Sequence, residues 1–345
     1  MRDPRLSVER AGGRGRPGGE SAPAPLTEGA QLVAVAHGSK DPRAAATVHS
    51  LLGVVAERAR ARALADGAGG IGGVRAAFLD HCAPSLPQVL GSLSDGRAHS
   101  CVVVPLLLTA AYHSKSDIPA QLAAASAASA AAAADVGTSG TSGAADGVVV
   151  RCAATLGPHP LLLAALERRL REAGVPVDSA AARARTAVVL AAAGSSDPAA
   201  NATIADLAAA WRRDRGWRAV IPAYASAAGP SPAEAVTALR GSDAGSADST
   251  GPVVVASYLL APGFFADKIR TTSLEAGAAA VSGVLGAAPE VADVVLARYR
   301  EALCERLRAD TGYAERAFAT PRLVTCSIRG NPRGTDLPAR APRRA

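Results

Sequence analysis

The sequence predicts an α/β chain of two tandem lobes, each with a roughly four-stranded parallel sheet flanked by helices on both faces. Three observations predict it. Short apolar runs rich in Val and Leu, bounded by turn residues, alternate with segments of helical periodicity. The order of the first half begins again in the second. Two histidines stand just past the carboxyl ends of such runs, the edge where open α/β sheets bind ligands.

Composition narrows the function classes. A chain of 345 residues is long enough for two ordinary domains, each burying its own core. Aromatics amount to 3%, which leaves little for stacking on nucleic-acid bases. The net charge of +7 is concentrated beyond Pro321, where Arg322, Arg329, Arg333, Arg340, Arg343 and Arg344 face only Asp336. A nearly neutral body with a basic tail gives little support to a nucleic-acid partner. Five cysteines (82, 101, 152, 304, 326) are scattered without a CxxC pair. They read as reduced thiols of a cytoplasmic protein, with neither a disulfide frame nor a thiolate metal site. No h-region and no run of 18 strongly apolar residues is visible, so neither secretion nor membrane spanning is expected.

Residues 1–30, rich in Gly, Pro and Arg, are expected to be a disordered tail. The first strand is Leu32–Ala36, and a helix follows over 42–63 with Asp41 as its N-cap and Pro42 in its first turn. After the Gly-rich linker 67–73 come a strand over 74–79 that ends at Asp80 and a helix over 84–93. The third strand is 101–108, and a helix begins near Pro119. Residues 123–147 form a low-complexity Ala, Ser and Gly insertion. A fourth strand (148–153) and an amphipathic helix over 160–173 complete a lobe spanning 31–175.

The pattern then repeats. Val189–Pro198 matches Val33–Pro42, Gly229-Pro230-Ser231 echoes Ala83-Pro84-Ser85, and Val253–Leu260 matches the third strand. Leu285-Gly286-Ala287-Ala288-Pro289 matches Leu156-Gly157-Pro158-His159-Pro160. The second lobe therefore spans 186–310, with a polar loop at 241–252, a last helix near 290–308, and a basic, disordered tail over 321–345. In this alignment His37 falls on Ala193, Asp80 on Ser226 and His113 on Phe265. The second copy keeps Gly194, Ser195, Asp197 and Pro198, but each of those three positions at its strand ends has become non-coordinating or apolar. One half keeps a site and the other keeps the fold.

Two imidazoles and a carboxylate at one sheet edge make a borderline-soft site suited to divalent Fe, Co, Ni or Zn. Three protein ligands leave coordination positions open for exchange. His81 follows Asp80 and is expected on the opposite side of an extended strand. His49 and His99 read as solvated.

An apolar strand before His37-Gly38-Ser39, then Phe78-Leu79-Asp80, Pro84-Ser85, another apolar strand, and His113 with Asp117-Ile118-Pro119 resembles the class II chelatases. These are the sirohydrochlorin cobalto- and ferrochelatases of vitamin B12 and sirohaem synthesis. The motifs are strong over 31–175 and degraded over 186–310. The resemblance implies a chelatase fold whose two lobes pack around a cleft. It also implies a metal chelatase (a lyase) that inserts a divalent metal, Fe2+ ahead of Co2+, into sirohydrochlorin. The metal is then a substrate, and no permanent cofactor or iron–sulfur cluster is implied.

By the same resemblance His37 and His113 are the catalytic, metal-handling histidines. With Asp80, which stands where members commonly have Glu, they would hold or deliver the metal. An imidazole could also take protons displaced from pyrrole nitrogens, since histidine as a residue type titrates near neutrality. The substrate is a polycarboxylate, so Lys40, Arg43 and Lys115, with Ser39 and His159, are expected to contact it. Small members of the family complete the cleft by dimerising. Here the second lobe would do so within one chain, which makes a monomer plausible. A non-catalytic metal or tetrapyrrole carrier, a metal hydrolase and a nucleic-acid binder acting through the Arg-rich tail are the alternatives.

Overall fold

The computed structural model describes residues 29–66, 70–95, 100–109, 117–124, 148–241 and 251–310. The tail expected over 1–30, except Gly29 and the buried Ala30, lies outside these residues, as do the tail at 321–345, most of the insertion (125–147), the loop centre at 242–250, His99, His113 and Lys115.

The first lobe runs β1 (Gln31–Ala36), α1 (Pro42–Asp66), β2 (Gly73–Phe78), α2 (Leu86–Asp95), β3 (Ser100–Pro105), α3 (118–124), β4 (Val149–Cys152) and α4 (Pro160–Glu172). A short α5 (Ala180–Arg185), absent from the sequence reading, leads into the second lobe. That lobe runs β5 (Ala187–Ala192), α6 (Pro198–Arg215), β6 (Ala219–Tyr224), α7 (Pro232–Gly241), β7 (Val253–Tyr258), α8 (Phe264–Glu275), β8 (Ala280–Val281) and α9 (Pro289–Asp310). Both sheets are parallel and four-stranded, in the orders β2-β1-β3-β4 and β6-β5-β7-β8.

The two copies share local devices as well as order. Ser85 and Ser231 each open a helix with a capping box. The Ser85 N–H donates to Gln88 Oε1 at 2.8 Å, and the Ser231 N–H donates to Glu234 Oε2 at 2.8 Å. This places the start of α2 at Leu86, two residues later than the sequence expectation, because Pro84 and Ser85 belong to the cap. β3 and β7 end at Pro105 and Tyr258, earlier than expected at Leu108 and Leu260. Beyond these ends only isolated bonds continue: the Leu106 N–H donates to the Val35 carbonyl (2.7 Å), and the Leu107 and Leu259 carbonyls accept from the Leu156 and Leu285 N–H groups (2.9 and 2.8 Å).

Strand alternation divides the apolar side chains between layers. Leu32, Ala34 and Ala36 of β1 share one core with Val188, Leu190 and Ala192 of β5. The alternate residues Val33 and Val35 pack with Leu86, Leu93 and Ile118 on the outer face of the first sheet. Val189 and Ala191 do the same with Val236 and Ile269 on the second. Each lobe's last helix joins the shared core and bonds to the other lobe. On α4, Glu167 accepts hydrogen bonds from Trp211 Nε1 (3.0 Å) and Arg215 of α6, and Arg168 pairs with Glu290 of α9. On α9, Tyr299 Oη donates to the Ala30 carbonyl at 2.8 Å, and Asp293 binds Arg58 and Arg62 of α1. No helix among the described residues is long and apolar enough to cross a membrane.

His159 is the N-cap of α4, with Nδ1 accepting from the Leu161 N–H at 3.2 Å. Burial, then the nearby Arg298 charge, lowers its pKa below the ordinary histidine value. The cap needs the neutral imidazole, so the two effects agree.

Two outcomes follow from this packing. Glu167 is buried and doubly paired, so Glu167→Ala leaves the buried Trp211 N–H without a partner, while the partly exposed Arg215 guanidinium turns to water. It should cost about 2 kcal/mol of unfolding free energy in a urea titration. For His159 the folded pKa lies below the unfolded one, so its contribution is complete above the unfolded value and fades as pH falls through the folded value. His159→Ala should therefore destabilise by about 1 kcal/mol at pH 8. Denaturation at pH 5 should show a smaller difference between variant and parent.

Candidate metal and tetrapyrrole site

The site begins with the turn that ends β1. Gly38 has φ +92°, and a Cβ there would stand 1.8 Å from the Asp80 carbonyl oxygen. Gly194 has φ +87°, and its Cβ would meet the Ser226 carbonyl oxygen at 2.0 Å. Only glycine allows both the left-handed backbone and that approach. The Asp80 N–H donates to the His37 carbonyl (2.9 Å), as the Ser226 N–H does to the Ala193 carbonyl (3.0 Å). The structure thus gives the same pairing of positions as the sequence repeat: His37 with Ala193 and Asp80 with Ser226.

Between the carboxyl ends of the two sheets lie two adjoining cavities of about 530 and 600 Å3. His37 lines both, together with Leu106, Leu107, Ala193, Gly194 and Leu260. The larger also meets Ser39, Lys40 and His81 from the first lobe and Phe264 and Phe265 from the second. His37 is half-buried at the junction, with Nδ1 3.3 Å from the Gly38 carbonyl oxygen. When Nδ1 is the protonated nitrogen in that contact, Nε2 carries the lone pair.

The expected site residues are distributed as follows. Ser39 and Lys40 lie on the cleft wall, where the Ser39 hydroxyl also accepts from the Asp41 N–H at 3.1 Å. Arg43 is not among the cavity-lining residues. Its guanidinium binds Asp41 and, across the lobes, Asp267, each at 2.6 Å. The hydrogen bonds from Arg43 hold the Asp41 carboxyl below the usual carboxylate range. Asp80 also stands off the cavity linings, with its side chain 64% exposed and its carboxylate turned to His81. His159 caps α4 and lines neither cavity. His113 and Lys115 lie outside the described residues, and the described chain on that side reaches the smaller cavity at Thr109.

Three cleft residues escaped the sequence reading. His81 was expected on the far side of an extended strand, but β2 ends at Phe78 and the chain turns there. His81 adopts φ +61°, and its ring centre lies 6.4 Å from that of His37. Ala227 has the same φ of +61° at the matching place in the second copy, so the turn belongs to the repeat. Comparing both copies for a shared turn before the Pro-Ser pair was the available signal. Phe264 and Phe265, 75% and 37% exposed, begin α8 and face the cleft from the second lobe. The chain has only 4 Phe, and two of them stand side by side where the first copy has Tyr112-His113. That concentration was a legible sign.

Comparison with known proteins agrees with this architecture. The CbiX family model matches residues 31–173 and 187–302, one stretch per lobe. A search of curated proteins found no match. Among solved structures, the chain is similar to SirB from Bacillus subtilis with Fe3+, at 22% identity and a TM-score of 0.63, covering 81% of this chain and 97% of that one. It is also similar to the sirohydrochlorin chelatase SirB from Bacillus subtilis subspecies spizizenii in complex with cobalt. There the identity is 19% and the TM-score 0.56, over 79% of this chain and 95% of that one. A third is the multi-domain, chelatase-like DR2241 from Deinococcus radiodurans, at 24% identity and a TM-score of 0.56, covering 79% of this chain and 56% of that one. With its two sheets, its repeat and a family match over both lobes, this chain belongs to the CbiX family of class II chelatases.

Proposed function

We propose that this protein is a sirohydrochlorin chelatase that inserts a divalent metal, Fe2+ ahead of Co2+, for sirohaem or cobalamin synthesis. The observation that carries the reading is the asymmetry of the cleft. An imidazole stands on the first-lobe wall at His37, and an exposed aromatic pair, Phe264 and Phe265, stands on the second-lobe wall. A planar tetrapyrrole has the shape and chemistry for that space: an apolar face for the phenylalanines and a ring of nitrogens to present to the histidine. The SirB structures named above, one with Fe3+ and one with cobalt, support the choice of metals. Availability in the cell selects between ions that such ligands accept.

On this reading the metal arrives as a substrate and is passed to the macrocycle. His37 offers the Nε2 lone pair to the incoming ion, with Nδ1 directed at the Gly38 carbonyl. His113 serves as the second imidazole, as the family resemblance implies. Two pyrrole protons must leave as the metal enters: an imidazole that has released the ion accepts one, and the other passes to water. Asp80 adds negative charge beside the metal's path. Lys40, on the wall, and Lys115 attract the substrate's carboxylates, while Arg43 ties α1 to α8 at the cleft's rim. Ser39 and His159 serve mainly the ends of helices.

Two measurements test the reading. Under anaerobic conditions the absorption of sirohydrochlorin with Co2+ or Fe2+ follows insertion directly. His37→Ala should slow the enzymatic rate by at least about 100-fold, the scale of a lost proton-transfer or ligand group. A parent protein no faster than buffer would leave a tetrapyrrole or metal carrier. Replacing Phe264 and Phe265 together by Ala removes two aromatic contacts worth about 1 kcal/mol each. It should raise the sirohydrochlorin KM by about tenfold or more with kcat little changed.

A further inference from the structure

We propose that His81 is a metal ligand acting with His37, and that Asp80 works through His81 as the carboxylate that orients it. The proposal deepens the chelatase reading and rests on it for the identity of the metal as substrate. Four observations carry it. The two rings are 6.4 Å apart between centres, and both line the larger cavity. With metal–nitrogen bonds of about 2.0–2.1 Å, each ring centre stands roughly 3.2 Å from a bound ion, so 6.4 Å is the widest separation at which two rings share one cation. A side-chain rotation that brings the centres to about 5.2 Å gives the tetrahedral angle.

Second, the Asp80 carboxylate points at His81 rather than into the cavity. One oxygen accepts from the His81 backbone N–H at 2.7 Å, and the other lies 3.3 Å from His81 Nε2. A carboxylate on one ring nitrogen fixes the ring and leaves the other nitrogen, here Nδ1, to hold a metal. Third, the His81 side chain is 36% exposed where Asp80 is 64% exposed. The imidazole is thus the more enclosed of the neighbouring donors. Fourth, the second copy keeps the turn and loses the chemistry. Ala227 repeats the φ of +61° where His81 stands, Ser226 replaces Asp80 and Ala193 replaces His37. All three donors are absent together from the lobe that lacks the site.

The test uses the full chain and the metal alone, without tetrapyrrole. Co2+ is titrated into the parent, His81→Ala and Asp80→Asn, and its visible absorption gives Kd. Cu2+ in the same proteins gives the number of bound imidazoles by electron spin-echo modulation. Ala227 already occupies the equivalent left-handed position in this chain, so His81→Ala is compatible with the turn. The expected result is one fewer imidazole and at least about tenfold weaker Co2+ binding in His81→Ala. Asp80→Asn should keep the imidazole count and weaken binding about tenfold, as loss of an orienting partner does. An unchanged imidazole count in His81→Ala overturns the proposal, and so does loss of binding in Asp80→Asn alone, which would make Asp80 the ligand. Metal binding lost in His81→Ala in a protein that inserts no metal would refute the chelatase reading and leave the histidine pair standing.

Discussion

The constraint on which the rest of the structure depends is that neither lobe closes its own core. The inner faces of both sheets pack into one apolar layer, and the last helix of each lobe is bonded to the other. Hydrophobic burial of this kind is non-directional and cannot by itself fix how two lobes meet. Direction comes from the polar contacts within and around it: Glu167 with Trp211 and Arg215, Asp293 with Arg58 and Arg62, and Tyr299 on the Ala30 carbonyl. Together they hold the carboxyl ends of both sheets against a single cleft. The spacing between the histidine wall and the phenylalanine wall is therefore set by the core beneath them.

The tandem repeat separates what the fold requires from what the chemistry requires. Gly38 and Gly194 persist because a carbonyl oxygen of the next turn occupies the space a side chain would need. The capping boxes at Ser85 and Ser231 persist because each helix start has N–H groups to satisfy. The imidazole and the carboxylate at the strand ends do neither of these things, and in the second lobe Ala193 and Ser226 stand in their places. In their place the second lobe offers Ala193, Ala227 and an exposed aromatic pair. The proposed division of labour follows: one wall handles the ion and the other receives the macrocycle.

The cleft's cations behave according to what surrounds them. Arg43 looked in sequence like a substrate contact beside His37, yet its planar fork finds Asp41 and Asp267 and becomes a bridge between lobes. Lys40, three residues earlier, reaches the cavity wall. His159 similarly spends its lone pair on the start of α4. A residue type suggests what a side chain is capable of, and its nearest unsatisfied partner decides what it does.

The sequence by itself determined the fold class, the two lobes, the alternation of strands and helices in the first of them, and the equivalence of His37 with Ala193 and Asp80 with Ser226. These are properties of periodicity and repetition, which are local and survive in one dimension. It also marked the strand ends as the place for a site, because parallel strands present that edge together. Only the tertiary structure decided that His81 faces His37, since a left-handed turn after Phe78 reverses the side that strand alternation assigns. Only the packing of the second lobe on the first brought Phe264 and Phe265 opposite the histidines. Contacts between residues more than a hundred positions apart depend on how apolar layers stack, and no local pattern encodes that geometry.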